Sequence, residues 1–234
     1  QNKTEISLMT VGLGVGNTQK WKKSSLSVNA SYINLAPYQL AIKQNVDWNK
    51  PFQSLSGETV YRYNFTNRIL KLYAAFDSSK CDINQENVNT PQKIRVDLNN
   101  NNFYFNSSYK GIFGTNWQIT SGLSYGYSTN KIKLDLDDVA NDENAAHLKL
   151  KFKKSFSDRI KLSFGGDYFI TKFDESFKEN LGDTFAIGYN ANIAAAYAET
   201  DIFFSKNFAM KLGARLSNND LLDETVLSPR ASMA

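Results

Sequence analysis

The sequence predicts an all-β protein, an antiparallel up-and-down transmembrane β-barrel of which the 234 residues form an incomplete portion. Apolar and polar residues alternate with period two along nearly the whole chain, as in strands with two unlike faces. Several alternating runs are much longer than the strands of soluble sheets. No helical pattern supplies the second layer that would cover the apolar face of a soluble sheet. A closed sheet in lipid meets all three conditions, because lipid covers that face.

The alternation is clearest between residues 116 and 128. Apolar or aromatic side chains occupy the odd positions, among them Trp117, Leu123 and Tyr127, with Ser121 as the exception. Every even position in this run is Asn, Gln, Thr, Ser or Gly. Since successive side chains of a strand point to opposite sides, one face is apolar and the other is small and polar.

We expect about eleven strands, with ends placed to within a few residues. They lie at roughly 5–15, 24–35, 57–65, 69–79, 102–110, 116–134, 146–155, 159–174, 185–204, 208–218 and 225–234. The run from Phe185 to Phe204 has about 20 residues, whereas a tilted transmembrane strand needs about 9–11. Bacterial barrels of one chain have even strand numbers. Because eleven is odd and strands begin near Gln1 and end at Ala234, we expect part of a longer barrel.

The predicted connections alternate between shorter and longer along the chain. Segments 66–68, 156–158 and 205–207 are short, whereas 36–56 and 80–101 are long. In an up-and-down barrel, alternate connections lie at the same rim, and outer-membrane barrels place short turns at the periplasmic rim and long loops outside. A sandwich with Greek-key connections has no reason to keep this order.

Tyr and Trp near the strand ends favour contact with the two membrane interfaces, where such side chains concentrate. The candidate interface aromatics are Trp117, Tyr125, Tyr127, Tyr168, Tyr189 and Tyr197. The alternative for each of them is ordinary packing on a sheet. The sequence alone leaves these two interpretations open.

The composition argues against an enzyme and against a bound cofactor. One cysteine, Cys81, and one histidine, His147, exclude an internal disulfide and the usual Cys/His zinc sites. The chain has no Gly-x-Ser-x-Gly elbow and no phosphate-binding loop. Gly12, Gly14 and Gly16 are not followed by a helical pattern, so they do not indicate a dinucleotide site. We therefore predict no catalytic, cofactor-binding or metal-binding residues and interpret His147 as a polar strand position.

The charge pattern does not indicate nucleic-acid or calcium binding. Lys149, Lys151 and Lys153 share one face of a predicted strand, but no nucleic-acid-binding motif accompanies them. The acidic stretch 135–143 lacks the glycine and the terminal glutamate of an EF-hand loop. We interpret this stretch as a solvated loop and predict no nucleic-acid partner.

Several segments are similar in order to one family of barrels. Residues 194–215, AAAYAETDIFFSKNFAMKLGAR, precede 227–232, LSPRAS. Upstream, 102–111 (NFYFNSSYKG), 117–119 (WQI) and 46–58 form further matches. The late segments resemble the last barrel strands of TonB-dependent outer-membrane receptors, including their SPR strand, and the earlier ones resemble middle strands of the same barrels.

The resemblance implies a large barrel filled by an N-terminal plug, in the outer membrane of a Gram-negative bacterium. Such receptors import a nutrient, for example a siderophore, cobalamin or a glycan, with energy transmitted by TonB. Residues 1–234 would then be a single barrel portion without the plug. The implied partners are outer-membrane lipid, the plug of the same receptor and TonB through it, and a nutrient ligand at the long loops.

Other functions share part of this pattern. A passive porin, an adhesin-type barrel or a secretion channel would show the same alternation without the motif resemblance. An outer-membrane lipase or protease needs a nucleophile beside a base, and His147 has no evident Ser partner in the sequence. A soluble β-rich binding module would not need detergent. The amide-rich segment 80–101 is either a sugar-binding loop or a solvated one.

Overall fold

The computed structural model describes residues 2–42, 47–87 and 91–234, which form twelve β-strands and one short helix. The strands are β1 Lys3–Met9, β2 Gly12–Lys20, β3 Ser24–Asn34, β4 Asp47–Phe65, β5 Arg68–Glu86, β6 Lys93–Phe113, β7 Trp117–Leu134, β8 Asp137–Ser155, β9 Ile160–Lys178, β10 Thr184–Phe203, β11 Ala209–Asn219 and β12 Glu224–Met233. The helix α1, Ala36–Ala41, lies between β3 and β4.

All twelve strands belong to one sheet, in which each strand pairs antiparallel with its neighbours in sequence. This order is an up-and-down arrangement and confirms the predicted fold class. β1 and β12 each have one neighbour, so the sheet is open over the described residues. We call the end of the sheet with the β3–β4, β5–β6 and β7–β8 connections the upper rim, and the opposite end the lower rim.

The strand count differs from the expected eleven because the predicted strand 5–15 is two strands. Thr10 and Val11 form a turn, and Leu8 of β1 pairs with Leu13 of β2. The sequence carries a signal of this turn. Apolar residues occupy even positions up to Leu8 and odd positions from Val11 onward, and a continuous strand would not change parity.

The prediction of regularly alternating short and long connections was wrong. Most of 80–101 is strand, because β5 continues to Glu86 and β6 begins at Lys93. Likewise β8 begins at Asp137, and β4 begins at Asp47. These segments are rich in Asn, Asp, Gln and Lys, which made them look like loops. Asn89, in the predicted loop 80–101, lies outside the described residues.

The long extension of β4 is irregular where the sequence contains a proline. Its pairing with β5 shifts between Lys50 and Gln53, on either side of Pro51. Proline cannot donate a ladder hydrogen bond and therefore belongs at edges and irregularities. Pro229 follows the same rule, since it lies within β12, the last strand of the sheet.

The sheet has almost no core of its own. Val96 and Ala195 are the buried apolar residues among those described, whereas large apolar side chains are exposed on nearly every strand. A single layer cannot bury its own apolar face, and an exposed apolar patch of this extent marks a surface that lipid or another protein covers. No helix in the described parts of the chain is long and apolar enough to cross a membrane.

Candidate functional site: an apolar band and a charged polar face

The strand pairing collects the apolar side chains on one face of the sheet. Leu123 of β7 lies opposite Leu148 of β8, which lies opposite Tyr168 of β9. Directly opposed residues of antiparallel strands project from the same face. The other face carries polar residues and is less exposed: Tyr168 keeps 42% of its surface accessible, whereas Asp167 keeps 8%. We call these the apolar face and the polar face.

The apolar side chains end at a defined level on each strand. Apart from Ala140 and Ala186 farther up β8 and β10, the last one towards the upper rim is Tyr32, Leu55, Phe76, Phe103, Tyr127, Ala146, Ile170, Ala194, Leu216 or Leu227 on β3 to β12 in order. The next residue on the same face is Asn34, Gln53, Ser78, Asn101, Thr129, Asn144, Lys172, Asn192, Asn218 or Thr225. Every replacement is polar, so the apolar face is a band with a sharp upper edge.

This upper edge is inclined to the rows of paired residues. We compare levels on β10 by following the paired residues from strand to strand. Leu55 of β4 lies level with Gly188 of β10, whereas Leu216 of β11 lies level with Ala196 of β10. The edge thus descends by eight residues (196 − 188) between β4 and β11. That is about 26 Å along the strands over about 34 Å of sheet width. The resulting inclination, about 40°, matches the strand tilt of transmembrane barrels.

Asp167 on β9 forms the centre of an ionic cluster on the polar face. Arg215 Nη1 donates a hydrogen bond of 2.8 Å to Asp167 Oδ2, and His147 Nε2 lies 3.3 Å from Asp167 Oδ1. Lys149 Nζ lies 3.9 Å from the same oxygen, and the Arg215 guanidinium lies over the Tyr197 ring. The side chains come from β8, β9, β10 and β11, so the cluster joins four strands across the face.

A second group lies closer to the lower rim on the same face. Asp201 of β10 is 3.5 Å from Lys153 Nζ and 3.3 Å from Lys211 Nζ. Glu199 is 4.0 Å from Arg230 Nη1 of β12. Ion pairs that are this exposed add little stability one by one, but a network restricts the side chains that compose it.

A third charged group stands above the apolar band, at the upper rim. Arg95 of β6 donates two hydrogen bonds to the Asp82 carboxylate, 3.0 Å from Nε and 2.7 Å from Nη2. Asn49 adds a third at 2.9 Å. Asp82 is 1% exposed. The hydrogen bonds from Arg95 lower the pKa of Asp82 from 3.8 to about 2, against the effect of burial.

The β7–β8 turn is attached to this group. The Arg95 N–H donates to Asp135 Oδ1 at 2.7 Å, and the Asp135 N–H donates to the Arg95 carbonyl at 2.8 Å. Asp135 has a φ of 53°, a conformation that Asp adopts more readily than most residues. The acidic stretch 135–143 is therefore a turn followed by β8, rather than a loop. No cluster of His, Cys, Asp and Glu suited to a metal ion occurs among the described residues.

No protein-family model and no curated protein sequence matches the chain. Solved structures are similar to it. The outer membrane transporter YddB from Escherichia coli matches with a TM-score of 0.68 and 9% identity, over 95% of this chain and 35% of that one. The alcaligin receptor FauA from Bordetella pertussis gives 0.65 and 12%, over 99% and 37%. The RagAB peptide transporter gives 0.67 and 5%, over 95% and 33%.

The fold is that of outer-membrane receptor barrels. The predicted resemblance to TonB-dependent receptors is thus confirmed for the fold. The chain spans 33–37% of the length of these three proteins. All three are described as transporters or receptors and none as an enzyme.

In such a barrel the predicted interface aromatics divide into two groups. Trp117 and Tyr127 lie at opposite ends of the apolar band on β7, and Tyr125 and Tyr168 lie inside it. Their interfacial role stays a prediction. Tyr189 and Tyr197 lie on the polar face instead, because the register places Tyr197 opposite Gly165 and Arg215. The interfacial role of these two also stays a prediction, and the register places them on the same face as Asp167.

Trp117 has the neighbours expected of a side chain near a membrane surface. It stacks on Phe113 at a centroid distance of 5.9 Å, and Lys154 Nζ lies 4.9 Å from its ring centroid. Lys154 is also the first charged residue beyond Phe152 on the apolar face of β8. Aromatic rings with an adjacent cation are typical of the level between hydrocarbon and headgroups.

His147 sits in a polar network, as one polar position on a strand. Its ring stacks on Phe169 at 3.8 Å. Ser124 lies opposite His147 in the pairing, but no hydrogen bond joins their side chains in the described structure. Asp167 is shared with Arg215 and Lys149, so it does not orient the imidazole alone. The arrangement lacks the nucleophile–base hydrogen bond of a hydrolase.

Sequence reasoning found the lysines of β8 but missed their acidic partners. Lys149 and Lys153 meet Asp167 and Asp201, which belong to β9 and β10. A signal existed for Asp167, a carboxylate that follows Ser163 and Gly165 on the polar face of β9. The pairing of the lysines with these carboxylates depends on register across strands, which the alternation alone does not fix.

Proposed function

We propose that the chain is part of the barrel of an outer-membrane receptor that actively imports a nutrient, with energy delivered through TonB. The inclined edge of the apolar band carries this proposal. A plane that cuts tilted strands produces such an edge, and a flat soluble sheet has no reason to possess one. The similarity to solved transporters and receptors supports the same assignment.

The proposal assigns a separate role to each surface. The apolar band contacts outer-membrane lipid, and Trp117, Tyr125, Tyr127 and Tyr168 lie at or near its interfaces. The polar face lines the interior and contacts a plug supplied by the same receptor. The upper rim, where β4 to β6 extend beyond the band, faces the cell exterior and meets the nutrient. The siderophore, cobalamin and glycan classes all fit a polar rim of this kind.

The decisive experiment begins with the gene on both sides of this segment. We expect a signal peptide and a plug-sized domain upstream, and further strands downstream. The full-length product should fractionate with the outer membrane and resist carbonate extraction. Uptake of its nutrient should stop when TonB is deleted.

Each result separates this proposal from its alternatives. Uptake that continues without TonB would indicate a passive barrel and contradict active transport. Extraction by carbonate would contradict the membrane assignment and favour a soluble β-rich module. A nutrient screen under iron, cobalamin or glycan limitation then identifies the substrate class.

A further inference from the structure

The polar face of β8 to β12 contains a cavity of about 200 Å³. Its charged lining consists of Lys149, Lys151, Arg215, Arg230, Asp167 and Glu199. Two glycines lie in the cross-strand rows beside the cavity. Gly165 lies between Lys151 and Tyr197 in one cross-strand row, and Gly213 lies between Glu199 and Arg230 in the next. A Cβ at Gly165 would clash with the Leu150 carbonyl oxygen, and one at Gly213 would lie 2.7 Å from Glu199 Cγ, so the strands beside the cavity approach one another closely.

The charges around the cavity do not balance. Asp167 is already bound by Arg215, and Glu199 has Arg230 at 4.0 Å. Lys151 lies within 4.0 Å of no carboxylate among the described residues, although it is half-buried. Four cations thus face two carboxylates. Clustered like charges repel one another, and a site that holds them together favours an anion.

The donors are also placed for recognition. Arg215 is held by Asp167 on one side and by the Tyr197 ring on the other, so its remaining N–H groups have a fixed direction. Guanidinium groups recognise carboxylates and phosphates through paired hydrogen bonds. Lys151 and Arg230 approach the same cavity from β8 and β12.

We propose that this cavity binds an oxyanion, a carboxylate or a phosphate group, with Lys151, Arg215 and Arg230 as its donors. The group is either an acidic side chain of a polypeptide that fills the barrel or part of a small anionic solute that enters it. The choice between these sources rests on the proposed function, whereas the site itself rests on the cavity and its charges.

The test measures anion binding by the protein in detergent micelles, by isothermal titration calorimetry in about 0.15 M sodium chloride, where charges are screened over about 8 Å. The probes are inorganic phosphate, citrate and a hexaglutamate peptide. Lys151→Gln and Arg230→Gln should each weaken binding about tenfold, the loss expected for one charge-assisted hydrogen bond. Arg215 is not substituted, because its removal would leave the buried Asp167 carboxylate without the cation that donates a hydrogen bond to it.

Lys71→Gln is the matched control. Lys71 lies on the same face as Lys149 and in the same cross-strand row, separated from it by Ser108 and Gly122. The Lys71→Gln variant should bind the anions with an affinity within about twofold of the unchanged protein, because long-range attraction alone is weak at this distance from the cavity. Heat-modifiable migration on gels checks that every variant folds.

Binding of phosphate or citrate supports the solute source, and binding of hexaglutamate alone supports the polypeptide source. Absence of binding by all three probes overturns the site. An equal loss in Lys71→Gln also overturns it, because the attraction would then be general. Since these titrations need neither TonB nor a membrane, their failure leaves the transport proposal standing, and failure of transport leaves the titrations valid.

Discussion

The polar face has two regions that lie side by side but are built from different residues. On β2 to β7 the contacts are hydrogen bonds rather than ion pairs: Ser31 Oγ lies 2.7 Å from Ser56 Oγ, Ser128 donates to Asn102 at 2.7 Å, and Asn29 and Tyr73 donate to Glu58. On β8 to β12 the contacts are ionic and centre on Asp167. Hydroxyl and amide groups both donate and accept, so they satisfy one another. Lys and Arg side chains only donate hydrogen bonds and carboxylates only accept them. The excess cations of this region therefore need an anion from outside the sheet.

The largest expected effect comes from removing the central carboxylate of the charged region. Asp167→Asn should destabilise the protein by about 3 kcal/mol, because a half-buried Arg215 and its cationic neighbours lose their counter-charge. On β2 to β7, where hydrogen bonds replace ion pairs, Ser56→Ala should cost about 1 kcal/mol, the value of one ordinary hydrogen bond. Urea unfolding in micelles measures both. Equal losses would mean that the two regions do not differ energetically.

The two regions of the polar face, on β2 to β7 and on β8 to β12, should both point away from lipid. Leu123→Lys, in the middle of the apolar band, should cost about 2–3 kcal/mol in bilayers. Asn106→Lys, on the polar face of the neighbouring strand, should change stability by less than about 1 kcal/mol. Refolding into lipid vesicles at increasing urea gives both numbers. A smaller loss at Leu123 than at Asn106 would reverse the assignment of the faces.

Asp82, which lies above the apolar band, should make the stability of the fold depend on pH. The pKa of Asp82 is lowered from 3.8 to about 2, so its ionised form stabilises the fold above pH 4. This contribution should be lost as the pH falls from about 4 to about 2, because the unfolded state binds the proton first. Hydrogen exchange of β5 and β6 amides near Asp82 should accelerate over that range. In Asp82→Asn the acceleration should be absent.

The smallest expected effect concerns the lower edge of the band. Trp117→Leu should cost about 0.5–1.5 kcal/mol through loss of its ring contacts with Phe113 and Lys154. Tyr197→Leu, on the polar face, serves as the comparison and should not change the depth of the protein in the bilayer. Quenching by brominated lipids measures that depth. No difference between the two variants would count against an interfacial role for Trp117.

The fold could be predicted from alternation because one face of each strand is apolar where it meets lipid. The run from Trp117 to Tyr127 shows this directly. The prediction failed where that condition ends. Above the band on β6, Arg95, Asp97 and Asn99 occupy the face that carries Phe103 below, and Ile94, Val96 and Leu98 occupy the opposite face, so the alternation is reversed there. The charged clusters were also missed, since Asp167 and Arg215 are 48 residues apart and meet only through the register of three strands.

The extension of β5 above the band has a consequence for its hydrogen bonds. Ten residues follow Phe76, the last apolar residue on its face, up to and including Glu86 at the end of the strand. They add about 33 Å of backbone ladder beyond the hydrocarbon. Below Phe76 no water competes for the backbone groups, whereas above it each amide can exchange its partner for solvent. The backbone hydrogen bonds of β5 therefore lie partly in hydrocarbon and partly in water. We expect them to open first at the end that lies in water.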